Sequence, residues 1–544
     1  MALAHILRNV PLFRNLDNPD LEFVASFLKE EHYSKGTIIF EEGEPGETMY
    51  LVKSGQVAVV GPDTSETIAF MGPGSFAGEI SLLLSEPRTA TLQVIIDAEL
   101  WILHRDDFEH IINARPAIAR EMMRELGRRL IETTQRKRPL RRRQITALFD
   151  GQHAASLCQA IYRYVGQPVG LLQFPGAHLA GHIDLNSGVV LIQPERLTET
   201  QLVHGLGYQV EIFGHVVLLM PNEPGPLVRK ALNLADTVVC IGQPPAWLDD
   251  MDLKSERWLI SGEAGEIERT ARRLTNRTVG LALSSGGARG LAHIGVMKVL
   301  LEENIPVDMV AGTSGGAWFG AFFCAGWTRA QFDEFVSDIK SNILRLPNAD
   351  FNLPPRTAIF KGQRARDRVI AQSVGVDTFE ELQTPLYIVA ADILTGDEIV
   401  FGTGSLTDAI RASLSVPVLF DPWFYEGRYC VDGGVVNPLP ASVLRERGAD
   451  IIIGSSVIQS LADSYSGRKD KKPHILQSVF NIVSAMESEV VKKQLPLIDV
   501  LVQHHVAAKH TLDFEQARMV VQCGEEAARR HLPEIKAALA PTGE

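Results

Sequence analysis

Three short runs in this chain place together the residue types that acyl transfer uses. Ser314 stands in G-T-S-G-G (Gly312–Gly316), Asp432 opens D-G-G (Asp432–Gly434), and S-G-G-A-R-G spans Ser285–Gly290. Acyl transfer needs a nucleophile, a base for its proton, and donors aimed at the tetrahedral oxyanion. Gly312–Gly316 matches G-x-S-x-G, in which a sharp strand-to-helix turn exposes the serine hydroxyl. At that turn Ser314 sits at a helix N-terminus, where N–H groups favour developing negative charge. Taken alone, the run also reads as a glycine-rich turn with an incidental serine. The Ser285–Gly290 run offers the N–H groups of Gly286, Gly287 and Ala288 with little side chain in the way. It departs from the dinucleotide fingerprint G-x-G-x-x-G and carries Arg289 inside the loop. Asp432 can accept the serine proton, with Gly433 and Gly434 opening room around it; a hairpin D-G turn is the other reading. His293 lies in an apolar stretch and reads as a packed histidine rather than the base.

Such residues work only if strands and helices hold them. The runs VGLALSSGG, VDMVAGT, LYIVAAD and ADIIIGSSV are apolar strand candidates separated by helical stretches, which predicts an α/β fold with a mostly parallel sheet. Trp318, Phe319, Phe322, Phe323 and Trp327 follow Ser314 at helical spacing. They read as a core helix, with Trp318 and Phe319 as the alternative wall of an acyl-chain pocket. Residues 343–360 are rich in proline and patchily apolar, and read either as a loop that meets membrane or as a surface connection.

Upstream, short β-type runs punctuated by turns predict a jelly roll or barrel, with Thr89–Ile96 and Ala98–His104 as two of its strands. A helix follows over Arg120–Gln135. It runs into RKRPLRRR, Arg136–Arg143, which reads as a solvated linker or as a patch for anionic lipid head groups. PVGLLQF, GVVLIQ, HVVLLMP and TVVCIG predict buried strands of a small α/β unit over residues 151–275. Its later strands are similar to those of MinD/ParA-type ATPases, but no G-x-x-x-x-G-K-[ST] loop occurs, so the unit reads as degenerate and non-catalytic.

The order of the SGGARG loop, GTSGG and DGG, with ASLSVPVLFDPW (Ala412–Trp423) before the last, resembles the patatin-like phospholipase family, and within it the bacterial relatives of neuropathy target esterase. The resemblance is close over residues 279–445. It implies a serine lipid acyl hydrolase with a Ser314–Asp432 dyad and an oxyanion hole at Gly286, Gly287 and Ala288. Ser285, Arg289, Gly290, Gly312, Gly316, Gly433 and Gly434 support the motifs. Phospholipids or lysophospholipids are the implied substrates, and neither a metal nor an organic cofactor is implied for catalysis. Ser285 stands where the family usually has glycine. If its N–H no longer points inward, losing one donor costs roughly 10²–10³ in rate.

The segment Ser75–Val94 resembles the phosphate-binding cassette of cyclic-nucleotide-binding domains. By that resemblance Glu79 meets the ribose hydroxyl and Arg88 the cyclic phosphate, with Gly78, Ile80, Ser81, Thr89 and Ala90 lining the pocket. cAMP or cGMP is then the regulatory ligand, and a docking module without ligand is the alternative.

The expected organisation is a multidomain α+β and α/β chain. A β jelly-roll cyclic-nucleotide-binding domain occupies residues 1–135, a basic linker 136–150 and the small α/β unit 151–275. The patatin-like core follows over 279–445, and 446–544 completes it. The alternative function is a cyclic-nucleotide sensor or adaptor with a silent patatin-like domain, which Ser285 keeps open.

The 544 residues carry a net charge of −13, with 53 Lys+Arg against 66 Asp+Glu, which argues against a nucleic-acid partner. The five cysteines show no C-x-x-C spacing, and a reducing cytoplasm is expected. No signal peptide and no apolar run long enough to cross a membrane is read, so any membrane contact is peripheral.

Overall fold

The computed structural model describes residues 7, 10, 13, 16–61, 67–84, 87–115, 118, 144–180, 183, 187–194, 196–253, 255–342, 350–352, 357–458, 475–504 and 516–541. Arg136–Arg143 and the stretch expected as a helix over Arg120–Gln135 lie outside them, as does most of 343–356. The chain divides into two compact units, Met1–Leu274 with 541–544, and Thr275–Ala540.

The first unit holds two sheets. One is antiparallel, with neighbours Lys29–Tyr33, Thr91–His104, Thr48–Val60 and Thr67–Met71, and with Ile38–Phe40 and Phe76–Ala77 on its flanks. Thr91–His104 alternates buried and half-buried positions through Leu100, as a strand with one face on a core does. It is one continuous strand where two were expected. The reason lies in its partner, since the register slips around Gly55 rather than breaking at Asp97. Gly55 takes φ +80° there, and a Cβ on it would meet Asp97 O at 2.0 Å. Asp97 is itself held by the Lys35 N–H at 2.7 Å and the Lys230 ammonium at 2.5 Å.

The second sheet of this unit is parallel throughout, in the order Glu256–Ile260, Thr237–Ile241, Gln144–Phe149, His215–Leu219, Val169–Gln173, Val189–Ile192. The four apolar runs expected as strands are strands. Two more join them. Gln144–Phe149, assigned with the linker, is a central strand buried from Ile145 onward. Glu256–Ile260 is an exposed edge strand whose mixed sequence carries no buried-strand signal.

The second unit is built on an eight-stranded, mostly parallel sheet. Its order is Trp423–Tyr425, Arg428–Asp432, Leu386–Asp392, Met309–Thr313, Val279–Leu283, Ile451–Ser456, Val500–Gln503, with Glu398–Phe401 also on Leu386–Asp392. The five strands from Leu386 to Val500 run parallel, and Arg428–Asp432 enters antiparallel beside Leu386–Asp392, pairing Asp432 with Ala390. Val279–Leu283 is wholly buried, because helices cover both faces of a parallel sheet. The helices Leu291–Glu302 and Gly315–Cys324 follow the two central strands and bury apolar residues all round in one large core. The ends of these central strands and of Arg428–Asp432 carry Ser285, Ser314 and Asp432.

Candidate active site

Ser314 is the turn residue between Met309–Thr313 and Gly315–Cys324. Its backbone takes φ +56° and ψ −121°, a conformation that non-glycine residues adopt only under constraint. The constraint is visible. Its N–H donates to Ser413 Oγ at 2.8 Å, and Ser413 Oγ–H donates onward to Val389 O at 2.6 Å. Gly312 and Gly316 let the turn close. A Cβ on Gly312 would meet Ala317 N at 2.7 Å, and one on Gly316 would meet Leu283 O at 2.5 Å.

Ser314 Oγ–H donates to Asp432 Oδ2 at 2.6 Å, across 118 positions of sequence. Asp432 ends its strand and caps a short 3-10 turn, its Oδ1 accepting the Gly434 N–H at 2.8 Å. Its own N–H donates to Ser415 O at 3.0 Å, so the ASLSVPV segment holds both halves of the pair, through Ser413 and Ser415. Burial raises the Asp432 carboxyl from its ordinary 3.8 to about 6, with the Ser314 and Gly434 hydrogen bonds pulling the other way. A carboxylate so placed can take the hydroxyl proton as Ser314 attacks.

The Ser285–Gly290 loop lies beside this pair. A Cβ on Gly315 would come 2.8 Å from Gly287 O. Gly287–Gly290 form a 3-10 turn, and the first N–H groups of such a turn have no acceptor within it. Gly286 and Gly287 take φ +158° and +55°. Ser285 N–H donates to Pro438 O at 2.8 Å, so this N–H is spent on the fold and faces no substrate.

Residues 281–445 match the family described as patatin-like phospholipase, and residues 30–115 match the cyclic nucleotide-binding domain. The second unit carries a patatin-like phospholipase domain. Over nearly its whole length the chain is similar to an uncharacterized NTE family protein of Mycobacterium tuberculosis, 26% identical over 97% of this chain and 96% of that protein. Patatin-like phospholipase domain-containing protein 6 of Homo sapiens is 25% identical over 86% of this chain, which spans 40% of that protein's length. Neuropathy target esterase sws of Drosophila melanogaster is 36% identical over 35% of this chain and 14% of that protein.

The second unit holds one further group that sequence reasoning missed. Glu487, on the helix Ile475–Gln494, accepts the Ser285 hydroxyl at 3.0 Å. Burial and the nearby Asp432 charge push its carboxyl up to about 7, against the pull of Ser285 and Arg289. A single glutamate in a helix far from every motif carries no sequence signal of such a role.

His293 is fully buried, with Nδ1 2.7 Å from Ser455 Oγ and Nε2 3.0 Å from Ser284 O. Burial lowers its imidazole to about 4, so it stays neutral and packed. The aromatic residues after Ser314 are core. Phe319 and Phe322 are buried, Trp318 stacks on Phe319 at 5.2 Å, and Phe322 stacks on Trp327 at 4.2 Å. Trp318 Nε1–H donates to Ser373 Oγ at 3.0 Å.

In the cyclic nucleotide-binding domain, Glu79 and Arg88 are both buried, with Glu79 opening the helix Glu79–Leu84. Arg88 Nη2 donates to Thr48 Oγ1 at 2.9 Å and Nη1 to Gly78 O at 3.2 Å, and the guanidinium lies 4.1 Å from the Phe40 ring centroid. Arg88 Nε is buried and has no hydrogen-bond partner among the described residues. Ser81 Oγ–H donates to Pro87 O at 3.3 Å; Ala90 is buried and Thr89 exposed. The Ile80 side chain lies outside the described residues.

Glu30, His32 and Glu99 bring three candidate metal ligands within 4.8 Å of one another. The Lys53 ammonium already bridges Glu30 at 2.6 Å and Glu99 at 3.0 Å, which offsets one of the two negative charges and occupies an oxygen of each carboxylate, so a cation is disfavoured. Among the described residues, no helix is long and apolar enough to cross a membrane.

Proposed function

We propose that the chain is a serine acyl hydrolase of phospholipids or lysophospholipids. The match to patatin-like phospholipases supports a lipid hydrolase as the class. The observation that carries the finer reading is the 2.6 Å hydrogen bond from Ser314 Oγ to Asp432 Oδ2 in a buried site. Ser314 Oγ attacks the ester carbonyl while its proton passes to Asp432. The N–H groups of Gly286, Gly287 and Ala288 hold the oxyanion. Collapse breaks the bond to the leaving alcohol, which takes the proton from Asp432. Water, activated by the same carboxylate, then releases the fatty acid and restores Ser314.

The test is fatty-acid release from lysophosphatidylcholine and a diacyl phospholipid by the full chain, beside Ser314→Ala and Asp432→Asn. Release that vanishes in Ser314→Ala supports the reading. Release unchanged in that variant, or no release by the folded wild-type chain, removes it in favour of a sensor or adaptor with a silent domain.

A regulatory role for a cyclic nucleotide belongs to the same proposal. The buried Arg88 Nε, open among the described residues, favours an anionic ligand such as the phosphate of cAMP or cGMP. Peripheral contact with anionic membrane through Arg136–Arg143, and a cytoplasmic location, complete the reading and rest on the sequence alone.

A further inference from the structure

Glu487 stands beside the reacting groups without belonging to any motif. A Cβ on Gly434 would lie 2.3 Å from Glu487 Oε1, 3.1 Å from Asp432 Oδ1 and 3.3 Å from Ser285 Oγ. The two carboxyls and the loop hydroxyl therefore converge over one glycine. Any side chain at 434 would occupy their meeting point.

Two carboxyls in one poorly hydrated site cannot both ionise cheaply. Their surroundings decide which one keeps the charge. Asp432 accepts two hydrogen bonds, from the Ser314 hydroxyl and the Gly434 N–H. Glu487 accepts one, from Ser285. The charged group on the oxyanion loop is Arg289, which acts on Glu487 and is itself depressed by burial. On the same helix, Glu489 pairs with Lys492 at 2.5 Å, and Lys492 and Lys493 are exposed. Solvent screens those surface charges.

We propose that Glu487 is a positioning residue for the hydrolysis described above: it keeps its proton after Asp432 has lost its own, leaving Asp432 as the ionised base, and its ionisation at higher pH shuts the site down. With Glu487 neutral, the pair carries a single negative charge, on Asp432. With Glu487 ionised, the site gains a negative charge beside the loop assigned to hold the oxyanion. The Asp432 charge acts on Glu487, so the two titrate as a coupled pair.

The inference rests on the proposed hydrolase reading, and its test separates the two. Activity of wild type and Glu487→Gln is followed from pH 5 to 9, with Ser314→Ala as the control for the reading itself. The glutamine keeps an acceptor for Ser285 but cannot ionise. The expected wild-type profile is a bell whose alkaline limb falls roughly tenfold per pH unit. Glu487→Gln should keep the acid limb and lose the alkaline one. Independently of activity, difference proton titration of wild type against Glu487→Gln should show one extra proton released near neutral pH. Should Glu487→Gln fail to fold, Glu487→Asp replaces it, with both limbs and the proton-release midpoint expected to move. An alkaline limb unchanged by Glu487→Gln, or no extra proton near neutral pH, overturns the proposal. If wild type hydrolyses nothing, the titration alone decides it.

Discussion

The Ser314 backbone N–H donates to Ser413 Oγ at 2.8 Å, and this bond holds Ser314 in a left-handed conformation that serine would otherwise leave. Ser413 in turn hands its hydrogen to Val389 O on the neighbouring strand, so the elbow is tied to the sheet. Ser413→Ala should leave a buried N–H unpaired. We expect a loss of about 1–3 kcal/mol in denaturant unfolding. On the proposed reading, a fall in kcat larger than any rise in KM should accompany it, because Ser314 is displaced and the substrate is not.

Asp432→Asn tests the base. Its hydrolysis should drop by roughly 10²–10⁴. In wild type the acid limb should centre near pH 6, where burial places the carboxyl, with activity lost as pH falls. Stability should move the other way. The folded-state carboxyl binds its proton more tightly than in the unfolded chain, so the protonated form supports the fold and that support is lost as pH rises through about 6. Melting curves of wild type and Asp432→Asn should converge at pH 4, and the variant should be the more stable at pH 8.

Gly434→Ala places a methyl group 2.3 Å from Glu487 Oε1, the mobile end of a long side chain. The variant should fold, since that carboxyl can swing aside. It should lose the Ser285–Glu487 bond and shift the alkaline limb of the pH profile, while Gly433→Ala should fail more severely, its Cβ meeting Val389 O at 2.3 Å. Thermal melting and pH–rate profiles of the two variants check the contrast.

Arg88→Leu tests the nucleotide reading. Binding to the folded state raises the melting temperature with ligand concentration. Wild type should be stabilised by saturating cAMP or cGMP, and Arg88→Leu by neither. Hydrolysis measured at the concentration that stabilises wild type then shows whether occupancy regulates it. Equal rates with and without bound nucleotide remove the regulatory role.

Four of the five parallel strands of the second unit were legible because buried strands are written as continuous apolar runs; the fifth, Val500–Gln503, was not read. The edge strand Glu256–Ile260 was not legible, since an exposed strand needs no such run. Gln144–Phe149 was hidden by the basic stretch before it, although Ile145–Phe149 are buried.

For the site itself, local sequence determined which residue types could react: Ser314, Asp432 and the glycine-rich loop each sit in a run whose chemistry is readable by itself. Only the tertiary structure decided their surroundings. It set Asp432 within 2.6 Å of Ser314, gave the Ser285 N–H to Pro438, and brought Ser413 and Glu487 to the same place. The reason is physical. A motif encodes local backbone geometry, which short-range sterics fix. The dielectric, hydrogen-bond partners and neighbouring charges that set a carboxyl's proton affinity come largely from elements far apart in the chain, Ser314 being 118 positions from Asp432 and Ser285 202 from Glu487, and packing alone brings those together.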